Sequence, residues 1–300
     1  MFTSAGRISV KREAETPDGS LAADRKPTEE VNMANRARKD PYEIIPRELC
    51  LEIFSYLNLH ELGVSSRVSK IWGSLISTPN LWRTAVYREI AFSSKDWAQW
   101  DENIVKGVDF TEEVLSLPEN IAEELRRSYE AFPGKSIRET HLLVRMAKGL
   151  TINKLGELAK KYFPSNDDGY RYISTNIVNE LGDKAVDESV WLLMTTEEVD
   201  GTRNKSYSRQ KNIVAELAKR ARVPYEVPTT LEAATCILAE YSRSRKRLFG
   251  DTIPPFTFTN CQENVQGSPT GVGHFAPSGL FVDIRGNVCN TVGAAALRKF

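Results

Sequence analysis

Residues 45–57 read IPRELCLEIFSYL, and their spacing sets the reading of everything around them. Leu49, Ile53 and Leu57 recur at i, i+4 and i+8, with Cys50 and Phe54 on the adjacent line, which is the period of a helix with an apolar side. Pro46 suits the first turn of that helix, where its missing N–H leaves no bond unmade. In NLHEL, Asn58 stands three residues before Glu61, a capping box that opens a second helix, and Leu62 and Val68 continue the stripe. SKIWGSLI, residues 69–76, predicts a third helix, with Gly63 and Gly73 as soft spots. Thr78 and Pro79 are the cap and first position of a further helical turn carrying Leu81 and Trp82.

About 45 residues is close to the smallest chain that folds unaided. This stretch nevertheless carries a large aliphatic or aromatic residue at nearly every second position, from Ile44 to Trp82. Three short helices cannot hide all of them. Each one left in water forgoes about 1.5–3 kcal/mol, so the surplus predicts a cover, supplied either by a partner or by the rest of the chain.

The remainder of the sequence bounds what that partner can be. Of 300 residues, 41% are apolar and 27% charged, a globular balance, and 40 basic residues cancel 40 acidic ones, so no global field draws the chain to nucleic acid or an anionic membrane. Cys50, Cys236, Cys261 and Cys289 form no C-x-x-C pair, which argues against a zinc module or disulfide framework and for a reducing compartment. No apolar run approaches the roughly 18 residues of a membrane span, and MFTSAGRISVKREAE lacks the apolar centre of a secretory signal. The expectation is a soluble, cytoplasmic protein that binds neither membrane nor nucleic acid.

Residues 1–40 hold few large apolar side chains and no period, and are expected to form a disordered tail. The helical pattern above fills 41–92. Residues 93–149, broken by Pro118, Pro133 and Gly134, read as a helical connector. Residues 150–300 read as an α+β domain: helices at TINKLGELAKKYF (capped at Thr151), GYRYISTNIVNELGD (closed by Gly182), SYSRQKNIVAELAKRA and TTLEAATCILAEYSRSRKRLF, with VWLLM a short buried strand. After Gly250 the apolar residues alternate, at Phe256 and Phe258 and again at Leu280, Val282 and Ile284, and Gly286–Asn287 predicts a hairpin turn into VCNTV.

Pro46, Leu49, Ile53–Phe54, Leu57, Leu62, Val68, Trp72 and Pro79-x-Leu81–Trp82 stand without insertion at the anchor positions of the F-box motif, and residues 43–90 resemble that family. Ile45 replaces the usual Leu before the proline, and Gly63-Val64-Ser65-Ser66 is smaller than the usual leucine-rich second helix. The resemblance implies a three-helix module that docks on a Skp-type adaptor and so joins a cullin scaffold in a ubiquitin ligase, with no catalytic role of its own. It implies that Pro46, Leu49, Ile53, Phe54, Leu57 and Leu62 face the adaptor, while Val68, Trp72, Leu81 and Trp82 hold the helices together. The second half, in KLGELAKKYFPSNDDGYRYI, VPYEVPTTLEAATCILAEY, RLFGD and CQENVQG, resembles an uncharacterised domain found behind F-box motifs in chlamydia-group bacteria. That resemblance implies an exported effector acting in the cytoplasm of a eukaryotic host, and it carries no catalytic residues.

The alternative is an enzyme whose N-terminal helices serve only as an internal docking element. Cys261, His274 and Asp283 are its candidate nucleophile, base and orienter, although nothing around them has the context of a known nucleophile motif. GVGHFA, residues 271–276, fits a dinucleotide-loop pattern, but Pro277 stands where the following helix should run. RSRKR at 243–247 reads as the basic end of a helix, where cations complement the dipole. No metal site or cofactor is expected. Under the adaptor reading, an unknown protein substrate meets loops at NCQENVQGSPTGVGHFAPSG, where Gln262, Glu263, Asn264 and Gln266 offer hydrogen bonds beside aromatic residues; the alternative is that these polar groups satisfy the domain's own turns.

Overall fold

The computed structural model describes residues 45–128, 132–250, 257–285 and 288–300; the tail expected over 1–40 lies outside the described residues. Helices α1 (Arg47–Ser55), α2 (Leu59–Ser65), α3 (Lys70–Ile76) and α4 (Pro79–Glu89) open the chain. Their ends are set locally. Pro46 is the N-cap of α1; the Asn58 carboxamide accepts from the Glu61 N–H at 2.8 Å while the Glu61 carboxylate accepts from the Asn58 N–H at 2.8 Å; and Ser69 caps α3 through the Trp72 N–H. Pro79 takes the first position of α4, but the Thr78 hydroxyl turns back to donate to the Leu75 carbonyl instead of capping. Both α1 and α2 pack on α3 and α4.

After α4 the chain passes through α5 (Ser94–Ala98), a 3₁₀ turn (Glu102–Val105), α6 (Phe110–Leu115), α7 (Ile121–Arg126) and α8 (Ile137–Thr140). The helical reading of the connector fails at HLLVRM, which is strand β1 (His141–Met146). Five of its six residues are buried, so Leu142, Leu143 and Val144 stand as a short apolar run without alternation, and such a run cannot be told from a buried helix by period alone. Phe92 also joins this strand: its N–H donates to the Leu143 carbonyl at 2.8 Å, and its carbonyl accepts from the Arg145 N–H at 2.7 Å.

The rest of the chain adds α9 (Ile152–Ala159), β2 (Tyr172–Ile173), α10 (Thr175–Leu181), β3 (Val190–Thr195), α11 (Tyr207–Ala221), α12 (Thr230–Ser244), β4 (Phe258–Val265), β5 (Ser268–Ala276), β6 (Gly279–Ile284), β7 (Val292–Gly293) and β8 (Leu297–Lys299). The fold is α+β, with two sheets. An antiparallel sheet runs β1-β3-β8, and a mixed one runs β2-β6-β5-β4-β7, its two outer pairings parallel and its two inner ones antiparallel. Helix α12 touches strands of both sheets and packs on α9, and Thr230–Ala239 are all buried. A helix buried on every face belongs inside; Ala233, Ala234, Cys236 and Ala239 are small enough to let its neighbours approach closely, and buried Glu232 is paired with Lys299.

Two further expectations change. Gly286–Asn287 lie outside the described residues, but VCNTV does not return along β6: the neighbours of β6 are β2 and β5, and β7 pairs parallel with β4 at the far edge. The tight two-residue turn lies instead at Gln266–Gly267, where φ is 52° and 79°, joining β4 to β5. The stretch expected to form recognition loops is therefore largely a hairpin.

Candidate docking face and the other candidate sites

Helix α1 carries two adjacent apolar lines, one turned inward and one outward. Cys50 and Phe54 point inward, and the Phe54 ring meets Trp72 edge-on at 5.3 Å. Pro46, Leu49, Ile53 and Tyr56 lie outward; Leu49 is 50% exposed, Ile53 45% and Tyr56 75%, while Leu57 is half-buried. Val64 and Val68 are exposed as well. Thus five of the nine large apolar side chains that stand exposed among the described residues fall between positions 49 and 68. Scattered exposure is ordinary, but this concentration is not, and the other described residues do not cover it.

The structure sorts the motif residues differently from the expectation at three positions. Phe54 and Leu62 are fully enclosed and hold the helices together, so neither presents a surface. Val68, expected inside, is 61% exposed because the chain leaves α2 through a turn before Ser69 starts α3. Trp72 is half-buried against Phe54, Leu81 is buried, and Trp82 donates from Nε1 to the Ile76 carbonyl at 2.8 Å. Tyr56 was not among the candidates, although it stands three residues after Ile53 and seven after Leu49 on one helix face.

Residues 42–88 match the F-box-like family. No curated protein and no solved structure matches the chain.

The F-box-like segment is held closed and tied to the rest of the protein by polar bonds as well as packing. Arg88 of α4 donates to the Ser55 carbonyl at 3.0 Å and the Leu57 carbonyl at 2.7 Å, satisfying acceptors at the open end of α1, and Glu89 accepts from the Leu59 N–H at 2.9 Å. Buried Glu113 of α6 accepts from the Tyr87 hydroxyl at 3.3 Å and the Ser94 N–H at 3.1 Å, with Arg145 of β1 at 4.0 Å. Trp191 of β3 donates to Ser116 at 2.8 Å, with its ring 6.2 Å from that of Tyr87.

The structure does not assemble the candidate catalytic group. Cys261 lies in the core cluster with Leu280, Val282 and the residues of α12, and burial, followed by the Glu263 and Glu232 charges, pushes its thiol pKa well up, away from the nucleophilic form. Alternation along β6 sets Phe281 and Asp283 on the other side of the sheet from Leu280 and Val282. His274 belongs with that outer side, its ring stacked on Phe281 at 4.7 Å. GVGHFA is the C-terminal part of β5, not a loop before a helix. Arg243 lies in the last turn of α12, and Arg245 is the residue after it, over the Tyr162 ring at 4.5 Å.

Of the four residues expected to face a substrate, two are engaged internally. Gln262 donates to the Val227 carbonyl at 2.5 Å, and Glu263 accepts from the Thr230 N–H at 2.8 Å and its hydroxyl at 3.0 Å, fixing β4 to the start of α12. Asn264 and Gln266 are exposed at the hairpin end. Sequence reading also passed over His141. It is buried, with Nδ1 2.8 Å from the Thr140 hydroxyl and Nε2 3.0 Å from the Tyr225 hydroxyl, and desolvation lowers its pKa to about 3. The residues touching it make it a neutral structural group.

Proposed function

We propose that this chain is a non-catalytic, substrate-recruiting subunit that docks through α1 on a Skp-type adaptor and thereby on the cullin scaffold of a ubiquitin ligase. The observation that carries the reading is the outward line Pro46, Leu49, Ile53 and Tyr56, with Leu57 at its border, inside the F-box-like segment. An apolar face of this kind on a helix is read by a partner groove at i, i+3 and i+7. The mixed sheet and its β4–β5 hairpin, including exposed Asn264 and Gln266, are proposed to belong to the part that holds the recruited protein, in a domain whose letters resemble those found behind F-box motifs in chlamydia-group bacteria. On that basis the working place of the protein is the cytoplasm of a eukaryotic host, reached as an exported effector. Calorimetric titration of the full chain with a purified Skp-type adaptor tests the docking. A 1:1 complex supports it, and no heat of binding at micromolar concentrations overturns it.

A further inference from the structure

On another side of the F-box-like segment the structure carries an open groove of about 510 Å³, walled by residues of α2 and α4 on one side and of α7 and α8 on the other. Leu59, Trp82 and Ile90 give it an apolar floor, and Arg67, Arg126 and Arg138 line it as well. No carboxylate lines it. Among the described residues none of these three arginines enters an ion pair, whereas nearby Arg83, Arg88 and Arg127 each do. Two of the three are braced from behind: the Arg67 Nε donates to the Gly63 carbonyl at 3.1 Å, and the Arg126 guanidinium rests on the Trp82 ring at 4.4 Å. Burial and then the like charge of Arg138 lower the Arg126 pKa, so the two guanidinium groups are close enough to repel each other.

Planar guanidinium groups held at a rim bind carboxylates in a two-pronged geometry, and an apolar floor between them selects a ligand that brings an aliphatic or aromatic side chain along with its charges. We propose that this groove binds an acidic protein segment, with carboxylates on Arg126, Arg138 and Arg67 and one large apolar side chain on Leu59, Trp82 and Ile90. A membrane surface does not reach a recessed floor. A nucleic-acid backbone calls for a basic track longer than one groove, and the chain as a whole balances 40 basic against 40 acidic residues. Assigning the segment to the recruited protein rests on the function proposed above; the binding itself does not.

The test uses the full chain and a fluorescein-labelled twelve-residue peptide of Asp and Glu around a central Trp-Leu pair, followed by anisotropy. The acidic peptide is expected to bind, its Asn/Gln counterpart at least tenfold more weakly, and added salt is expected to lower the affinity. The double variant R126Q/R138Q should lose at least tenfold in affinity. The pair R67Q/R138Q, which leaves the Arg126–Trp82 contact intact, serves as the second variant and should lose affinity without a change in melting temperature. Neither should alter titration with the Skp-type adaptor, and L49A/I53A should not alter peptide binding, so the two readings fail separately. Absence of peptide binding, equal binding of the neutral peptide, unchanged affinity in both arginine pairs, or full displacement by an oligonucleotide of equal charge would each overturn the proposal.

Discussion

Replacing Leu49 and Ile53 together by Ala separates a docking face from a structural one. Fully burying a Leu or Ile side chain is worth about 1.5–3 kcal/mol. Leu49 is 50% exposed and Ile53 45%, so about half of that gain is still open to a partner at each position. A partner covering both recovers about 1.5–3 kcal/mol that the double variant forfeits, a rise in Kd of about 10- to 150-fold. The inner half of each side chain is already counted in the fold, so the variant should also melt somewhat earlier. The control is Phe54→Ala, one residue along the helix: Phe54 is enclosed against Trp72, and its loss should cost about 3–5 kcal/mol of stability. The assay is titration of the Skp-type adaptor at matched concentrations, with circular dichroism to show that the double variant keeps its helices. An unchanged Kd in L49A/I53A refutes the assignment of the face. Melting of the double variant as severe as that of Phe54→Ala refutes the exposure on which the arithmetic stands.

Three other perturbations have worked signs. The folded-state pKa of His141, about 3, lies below the ordinary value of 6.5, so between those values the unfolded chain binds the extra proton; stability should fall by about 1.4 kcal/mol per unit as pH drops below about 6.5, and denaturation profiles of wild type and His141→Gln that run parallel from pH 7 to pH 5 would exclude this. Gly156→Ala, in the middle of α9, should destabilise by about 1–3 kcal/mol instead of giving the usual helical gain of about 1 kcal/mol, because the added Cβ would stand 2.3 Å from the Asp168 carbonyl and 2.8 Å from the Tyr170 ring; a raised melting temperature would contradict the packing. Cys261, fully buried, should resist a mild thiol reagent at pH 8 until the protein unfolds, while half-buried Cys289 reacts; rapid native labelling of Cys261 below the free-thiol pKa of about 8.5 would reopen the catalytic alternative.

What the sequence could show followed the range of the forces involved. Helix ends were legible at Asn58–Glu61, at Thr151 and at Gly182 because a cap is a bond between residues three or four apart. The direction of α1 was not. Leu49-Ile53-Leu57 and Cys50-Phe54 are both apolar lines at helical spacing, and only the position of Trp72 and of α4 decides which line turns inward. The same limit explains Gln262 and Glu263, whose partners at Val227 and Thr230 are more than thirty residues away in the chain. It explains β1, whose strand character comes from pairing with β3, with Leu143 opposite Leu193, and not from alternation within HLLVRM. The Gln266–Gly267 turn was missed for a different reason. Gln is an unusual residue at the left-handed first position, so the pair lacks the Asn-Gly signal by which such turns are read.

The junction after α4 bears on how a recruiting subunit would work. Flexible linkers between binding modules set only an effective concentration, and the relative orientation of the modules averages out. Here residues 45–300 form one compact unit, and the break between the F-box-like segment and the first sheet lacks the features of such a linker. Phe92 is built into the sheet as a neighbour of Val144 only two residues after the helix ends at Ile90, and buried Glu113 joins α4, the start of α5 and β1 through Tyr87, Ser94 and Arg145. A hinge at this point would expose the apolar faces of Tyr87 and Trp191 and leave a carboxylate buried without its donors, a loss of several kcal/mol. Under the proposed function, therefore, the orientation of a recruited protein relative to the adaptor is fixed by the packing of α4 on α6 and α7 and by the Tyr87–Trp191 contact with β3. Length or flexibility in residues 93–140 contributes little to it.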